Sequence, residues 1–125
     1  MKERIFPSDG PPPVGPYSPG IKANGFIFLS GQIPLDPASG QLFEGSIEDQ
    51  VHLIMKNISL LLETGGSSLE KVVKTTIFLA DLANFQAVNG AYGGYFADVP
   101  PARSTVQAAA LPMGVDVEIE VIALE

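Results

Sequence analysis

Val117, Ile119, Val121 and Ala123 fall on one side of an extended segment, with Asp116, Glu118 and Glu120 on the other. This period of two requires a strand with one face on a core and the other outside it, because successive side chains in a strand point to opposite faces. A half-buried strand needs neighbouring strands and a layer to cover its apolar side. The chain supplies both. Ile21-Lys22-Ala23 and Phe26-Ile27-Phe28-Leu29-Ser30 flank Asn24-Gly25, a strong hairpin signal. The second of these strands is apolar until Ser30-Gly31-Gln32, which predicts a central strand covered on both faces. Val72 to Leu79 is rich in β-branched residues and reads as another strand. Pro100-Pro101 ends whatever helix precedes it and lets a strand start at Ala102, while Ile5-Phe6 reads as a short edge strand.

The covering layer comes from two helical patterns. Ser46 caps the first, with Glu48 and Asp49 in the opening turn. Ile47, Val51, Ile54, Ile58, Leu61 and Leu62 form its apolar stripe, and Gly65-Gly66 ends it. Asp81 opens the second, in which Leu82, Phe85, Val88, Tyr92 and Phe96 keep helical spacing despite Gly90, Gly93 and Gly94. Strands, helix, strand, helix, strands predicts an α+β domain with two helices on one face of a mixed sheet. At 125 residues the chain makes one domain, 1–125. The sheet's other face is expected to carry Thr, Gln, Glu and small residues, a semi-polar but partly apolar surface of the kind that often pairs with copies of itself.

Composition narrows the function classes. Cysteine is absent and His52 is the single histidine, which removes thiolate nucleophiles, disulfides and a multi-histidine metal site in one chain. A net charge of −7 with no cluster among the five lysines argues against a nucleic-acid surface. The chain has no apolar run long enough to span a membrane and no signal-peptide core near Met1, so a cytoplasmic location is expected.

Arg103 is one of two arginines and stands at the start of the Ala102 strand, where Arg103, Thr105 and Gln107 share a face. Its planar fork of donors suits a carboxylate or phosphate. The alternative is a structural ion pair, since acids outnumber bases fourteen to seven. If the Arg103 strand and the last strand form a hairpin, a glutamate can share a face with the guanidinium. Pro16 and Pro19 stiffen the loop that presents Tyr17, which can wall a pocket or pack on the core. Gly31 allows a close backbone approach or a bulge. His52 lies off the first helix's apolar stripe and reads as solvated. Asn57-Ile58-Ser59 matches a glycosylation sequon but falls mid-helix.

Taken together in order, several segments resemble the RidA/YjgF family of small imine deaminases over nearly the whole chain. They are Gly15-Pro16-Tyr17, Ser30-Gly31-Gln32-Ile33-Pro34, Val73 to Leu79, Val88-Asn89 with Tyr92, Pro101-Ala102-Arg103-Ser104, and Leu111-Pro112 followed by Val117 to Ala123. The resemblance implies a chorismate-mutase-like fold, with a mixed, mainly antiparallel sheet and two helices packed on one face. It also implies a homotrimer with clefts between subunits and cofactor-free hydrolysis of 2-imino or 2-enamino acids to 2-keto acids and ammonia. Carried over by position, Arg103 grips the substrate carboxylate and Glu118 attends the attacking water. Tyr17, Ser30, Gly31, Asn89 and Thr105 line the cleft. Thr105 stands where many members have cysteine, and Gly93 where a glutamate is common. A trimeric carboxylate-binding protein without turnover, and an endoribonuclease or translation inhibitor, are the alternative readings.

Overall fold

A computed structural model describes residues 1–6, 13 and 15–125. Residues 7–12 and 14 lie outside the described residues, and with them part of the loop expected over 10–20. The described residues form six strands: β1 (Glu3–Ile5), β2 (Gly20–Ala23), β3 (Phe26–Gln32), β4 (Val72–Leu79), β5 (Ala102–Gln107) and β6 (Val117–Leu124). Two α-helices lie between them, α1 (Ile47–Thr64) and α2 (Phe85–Tyr92). One sheet holds all six strands in the order β1-β2-β3-β6-β4-β5. Every pairing is antiparallel except β4 with β5, which is parallel.

Local chemistry accounts for the element ends. Asn24 and Gly25 both take positive φ, 54° and 84°, the conformation a two-residue turn needs to match the strand twist. Ser46 Oγ accepts the Asp49 N–H at 3.1 Å and closes the first turn of α1. Gly66 takes φ +83° just past the helix, where a side chain would be strained. Asp81 caps a 3₁₀ turn, Leu82–Asn84, that feeds α2, and Gly93 to Tyr95 continue as another 3₁₀ turn. The glycines of this region thus sit mostly at the helix's frayed end.

The core lies between the helices and one face of the sheet. Val51, Ile54, Met55, Ile58 and Leu62 of α1 are fully enclosed against Ile27, Ile77, Leu79, Val117, Ile119 and Ala123. Each such side chain contributes about 1.5–3 kcal/mol by leaving water. Val88, Ala91, Tyr92 and Phe96 extend the same core under β4 and β5.

Two expectations are corrected. β3 is central but covered on one side only: Ile27 and Leu29 are buried, whereas Phe26 and Phe28 on the far face stay exposed. The far face mixes exposed Phe26, Phe28, Val106 and Leu124 with Lys74, Thr76, Glu118 and Glu120. Second, β5 and β6 do not form a hairpin, because β4 lies between them. The turn at Leu111 to Gly114 carries the chain across β4 rather than back along β5.

Candidate active site

Arg103 pairs with Thr75 in the β4–β5 ladder, Thr105 with Ile77 and Gln107 with Leu79. Paired residues share a face, so Arg103, Thr105 and Gln107 point toward the helices, on the side where Thr75 and Ile77 are wholly buried. Residues 85, 89 and 92 recur at helical spacing, and Phe85, Asn89 and Tyr92 therefore run as one stripe along α2 toward β5. The Arg103 guanidinium carbon lies 5.5 Å from the Phe85 ring centroid and 5.1 Å from that of Tyr92. Among the described residues the one ion pair joins Lys22 and Glu125, 3.4 Å apart, and no carboxylate reaches Arg103. Among the described residues, then, nothing supports the alternative reading of this arginine as an intrachain ion pair.

Two polar atoms, one on Arg103's strand face and one on the Phe85–Tyr92 stripe, have no partner within the described residues. Asn89 Oδ1 and Thr105 Oγ1 are buried and unbonded. Each such group costs about 1–3 kcal/mol unless something else satisfies it. The unspent Arg103 donors and the Thr105 hydroxyl can meet a small anion, while Asn89 Oδ1, an acceptor, suits an N–H or O–H on the same ligand.

The remaining expected residues gather elsewhere. Ser30 Oγ donates to the Ser18 carbonyl at 2.7 Å, and the Ser30 N–H donates to the Pro19 carbonyl at 2.9 Å. These bonds tie the loop carrying Tyr17, which is half exposed, to the end of β3. There the β3–β6 register shifts between Leu29 and Gln32. Glu118 of β6 crosses this bulge at Gly31: a Cβ on Gly31 would fall 2.8 Å from Glu118 Cδ and 3.0 Å from its Cγ. Gly31 thus serves both the close approach and the bulge. Burial, with the Glu120 charge second, raises the Glu118 carboxyl above its ordinary 4.5.

Arg103 and Glu118 do not share a face. Glu118 alternates with the buried Val117 and Ile119, so it points away from the helices. Glu118 pairs with Phe78, and Phe78 with Val106, three residues along β5 from Arg103. Two strand spacings and three residues put the two backbones about 10 Å apart in each direction, on opposite sides of the sheet. The chain thus carries two groups: Arg103, Thr105 and Asn89 with two rings, and Gly31 with Glu118 at the bulge to which Ser30 ties the Tyr17 loop.

Sequence reading missed Phe85, Tyr92 and Thr75 as parts of the first group, taking the two aromatics as core. Their spacing with Asn89 carried the signal, and Phe85, at 37% exposure, is not a core residue. His52 is exposed as expected, with Nδ1 2.7 Å from the Tyr95 hydroxyl. Asn57 is buried and its Nδ2 donates to the Leu35 carbonyl at 2.7 Å, which removes it from glycosylation.

Fold and site define a class of small α+β protein: one twisted sheet, two helices on one face, and an arginine with free donors at a sheet edge. Comparison with known proteins gives the class its family. The family model described as "Endoribonuclease L-PSP" matches residues 8–125. "Reactive Intermediate Deaminase A, chloroplastic" of Arabidopsis thaliana is 48% identical over 122 residues, covering 98% of this chain and 65% of that one. A solved structure from Yersinia pestis, described as of unknown function within the conserved Rid protein family, is 45% identical. It superposes with a TM-score of 0.95 over 100% of both chains. Escherichia coli TdcF, solved with bound serine, is 34% identical with a TM-score of 0.91 over 98% of both chains. The chain belongs to this Rid/L-PSP family. Among the described residues no helix is long and apolar enough to cross a membrane.

Proposed function

We propose that this chain is a cytoplasmic hydrolase that converts 2-imino and 2-enamino acids to 2-keto acids and ammonia, working as a homotrimer with its clefts between subunits. The observation that carries the reading is the Arg103 guanidinium, set against two aromatic rings and, among the described residues, paired with no carboxylate, with Asn89 Oδ1 and Thr105 Oγ1 unbonded on the same helix stripe and strand face. A bidentate fork of this kind selects a carboxylate. The plant relative's name supplies the reaction class, and the serine bound to TdcF is a small molecule of the 2-amino carboxylate type.

The separation of the two groups supports an assembly. Each group is incomplete alone, and the bare aromatic face of the sheet is a surface that copies of the chain can cover. In the cleft so formed, Arg103 of one subunit holds the substrate carboxylate while the neighbour's bulge brings its own glutamate and serine wall to the imine carbon. The chemistry asks little more. The C=N carbon is electrophilic, so a water oxygen adds to it and the C=N π electrons pass to nitrogen, giving a carbinolamine. Glu118 takes the proton the water loses, a role its raised pKa suits, and returns it to nitrogen. Glu118 then takes the hydroxyl proton and passes it to the nitrogen as the C=O bond forms and the C–N bond breaks, leaving a keto acid and ammonia.

Net charge −7 opposes the ribonuclease reading suggested by the family model's description. A binding protein without turnover shares the Arg103 observation and is separated by assay. An imine is generated enzymatically in the presence of semicarbazide, and the trapped product is followed. Wild type is expected to divert imine into keto acid, and Arg103→Ala to lose that activity while keeping its circular dichroism and oligomeric state. Saturable keto-acid binding with no diversion of imine would leave the binding protein instead.

A further inference from the structure

Arg103 raises a physical question that the carboxylate reading does not answer: what aims it before a ligand arrives. An arginine side chain has considerable rotamer freedom, and a free one must lose that freedom on binding. A carboxylate partner would fix it but would occupy the donors the ligand needs. The rings of Phe85 and Tyr92 avoid this conflict, because they attract the cation through their π faces and leave its N–H groups unspent.

Tyr92 is itself fixed. Its hydroxyl lies 2.8 Å from Thr75 Oγ1 in a buried hydrogen bond, and its ring packs on Phe96 with centroids 5.0 Å apart. Thr75 is wholly buried and stands directly opposite Arg103 in the β4–β5 ladder. Burial raises the Tyr92 phenol above its ordinary value, against the opposing pulls of the Thr75 bond and the Arg103 charge. The phenol thus stays neutral rather than forming a phenolate that would claim the guanidinium as an ion pair.

We propose that Thr75 and Tyr92 are positioning residues for Arg103: the buried hydroxyl pair fixes the Tyr92 ring, and the ring holds the guanidinium in one orientation with its donors open. The catalytic consequence rests on the proposed function, in which those donors receive a carboxylate. The geometry itself does not.

Because the chain has only two arginines, side-chain ¹⁵Nε relaxation by NMR gives an internal comparison between Arg103 and Arg4 at the edge strand. In the wild type the Arg103 Nε–H is expected to be ordered and that of Arg4 mobile. Thr75→Val and Tyr92→Phe each orphan one buried hydroxyl and lower the melting temperature. The double variant removes both partners together and is expected to recover most of that loss. If the pair were merely structural, the double variant would also recover arginine order. On the proposal it does not: Arg103 stays loosened toward the Arg4 value, and KM for an imine rises about tenfold with a smaller change in kcat. An Arg103 as mobile as Arg4 in the wild type, or as ordered in the double variant as in the wild type, overturns the proposal even if imine is turned over. An Arg103 that loosens as expected in a protein that turns over no imine sustains the positioning role and overturns the function instead.

Discussion

Replacing Arg103 by lysine keeps the charge and discards the fork. A lysine ammonium is a compact point charge with three rotatable donors, and it cannot meet both carboxylate oxygens in one plane. Arg103→Lys is therefore expected to raise KM for imine by about tenfold or more, in line with the loss of one charge-assisted hydrogen bond. Steady-state kinetics check this; an unchanged KM would reduce the arginine's role to its charge. Glu118 offers a second test through pH. Its carboxyl is raised above 4.5 by burial first and by Glu120 second. Folded chains therefore keep this proton at pH values where unfolded chains have lost it, and stability falls as pH rises through that window. Glu118→Gln removes the penalty. The variant is expected to melt higher than wild type at neutral pH and at the same temperature below pH 4.5, while losing most of its deaminase activity. Thermal melts at the two pH values check the first part, and an equal or lower melting temperature at neutral pH would count against a penalised carboxylate.

At the scale of elements, the β3 bulge and the Glu118 strand form one device. A methyl group on Gly31 would collide with the Glu118 carboxyl and its Cγ, so the side chain must rotate off the bulge. Gly31→Ala is expected to lower kcat toward the Glu118→Gln level with little change in melting temperature, a split that kinetics and a thermal melt read together. The sequence already pointed to Gly31, since a glycine that interrupts an apolar strand marks a bulge or a close approach. It also revealed the Ser46 cap, the Asn24-Gly25 turn, the Val72–Leu79 strand and the start of β5 at Ala102, because each depends on neighbours in the chain. What it did not reveal is that β4 separates β5 from β6. Strand pairing across dozens of residues leaves no local period, and the alternation of β6 fits any partner equally well. The same limit hid the Arg103 clamp. Phe85 and Tyr92 have the spacing of core residues, and only the parallel register of β5 shows that their faces meet a guanidinium.

For the whole molecule, the sheet that separates Arg103 from Glu118 makes a prediction about assembly. If one cleft takes its arginine from one subunit and its glutamate from the next, Arg103→Ala and Glu118→Gln damage different halves of it. Homotrimers of either variant have three defective clefts. Unfolding the two variants together in equal amounts and refolding them scrambles the subunits. A cleft in such a mixture is intact when its arginine comes from the Glu118→Gln chain and its glutamate from the Arg103→Ala chain, which random assembly around a closed ring gives for about a quarter of clefts. Activity of the refolded mixture is therefore expected near a quarter of wild type, while each variant refolded alone stays inactive. A site contained within one chain predicts no recovery, because every chain in the mixture lacks one of the two groups. The bare face of β3 and β6 supplies a control. Phe28→Lys places a charge among Phe26, Leu124 and Ile122 on a surface that an assembled molecule would bury, at a cost that falls on association rather than on the helix-side core. That variant is expected to run as a monomer in size-exclusion chromatography with its circular dichroism preserved, and to be inactive with both Arg103 and Glu118 intact. Recovery in the mixture and loss in the monomer would together assign the cleft to the junction between subunits. An active Phe28→Lys monomer would return the whole site to the single chain.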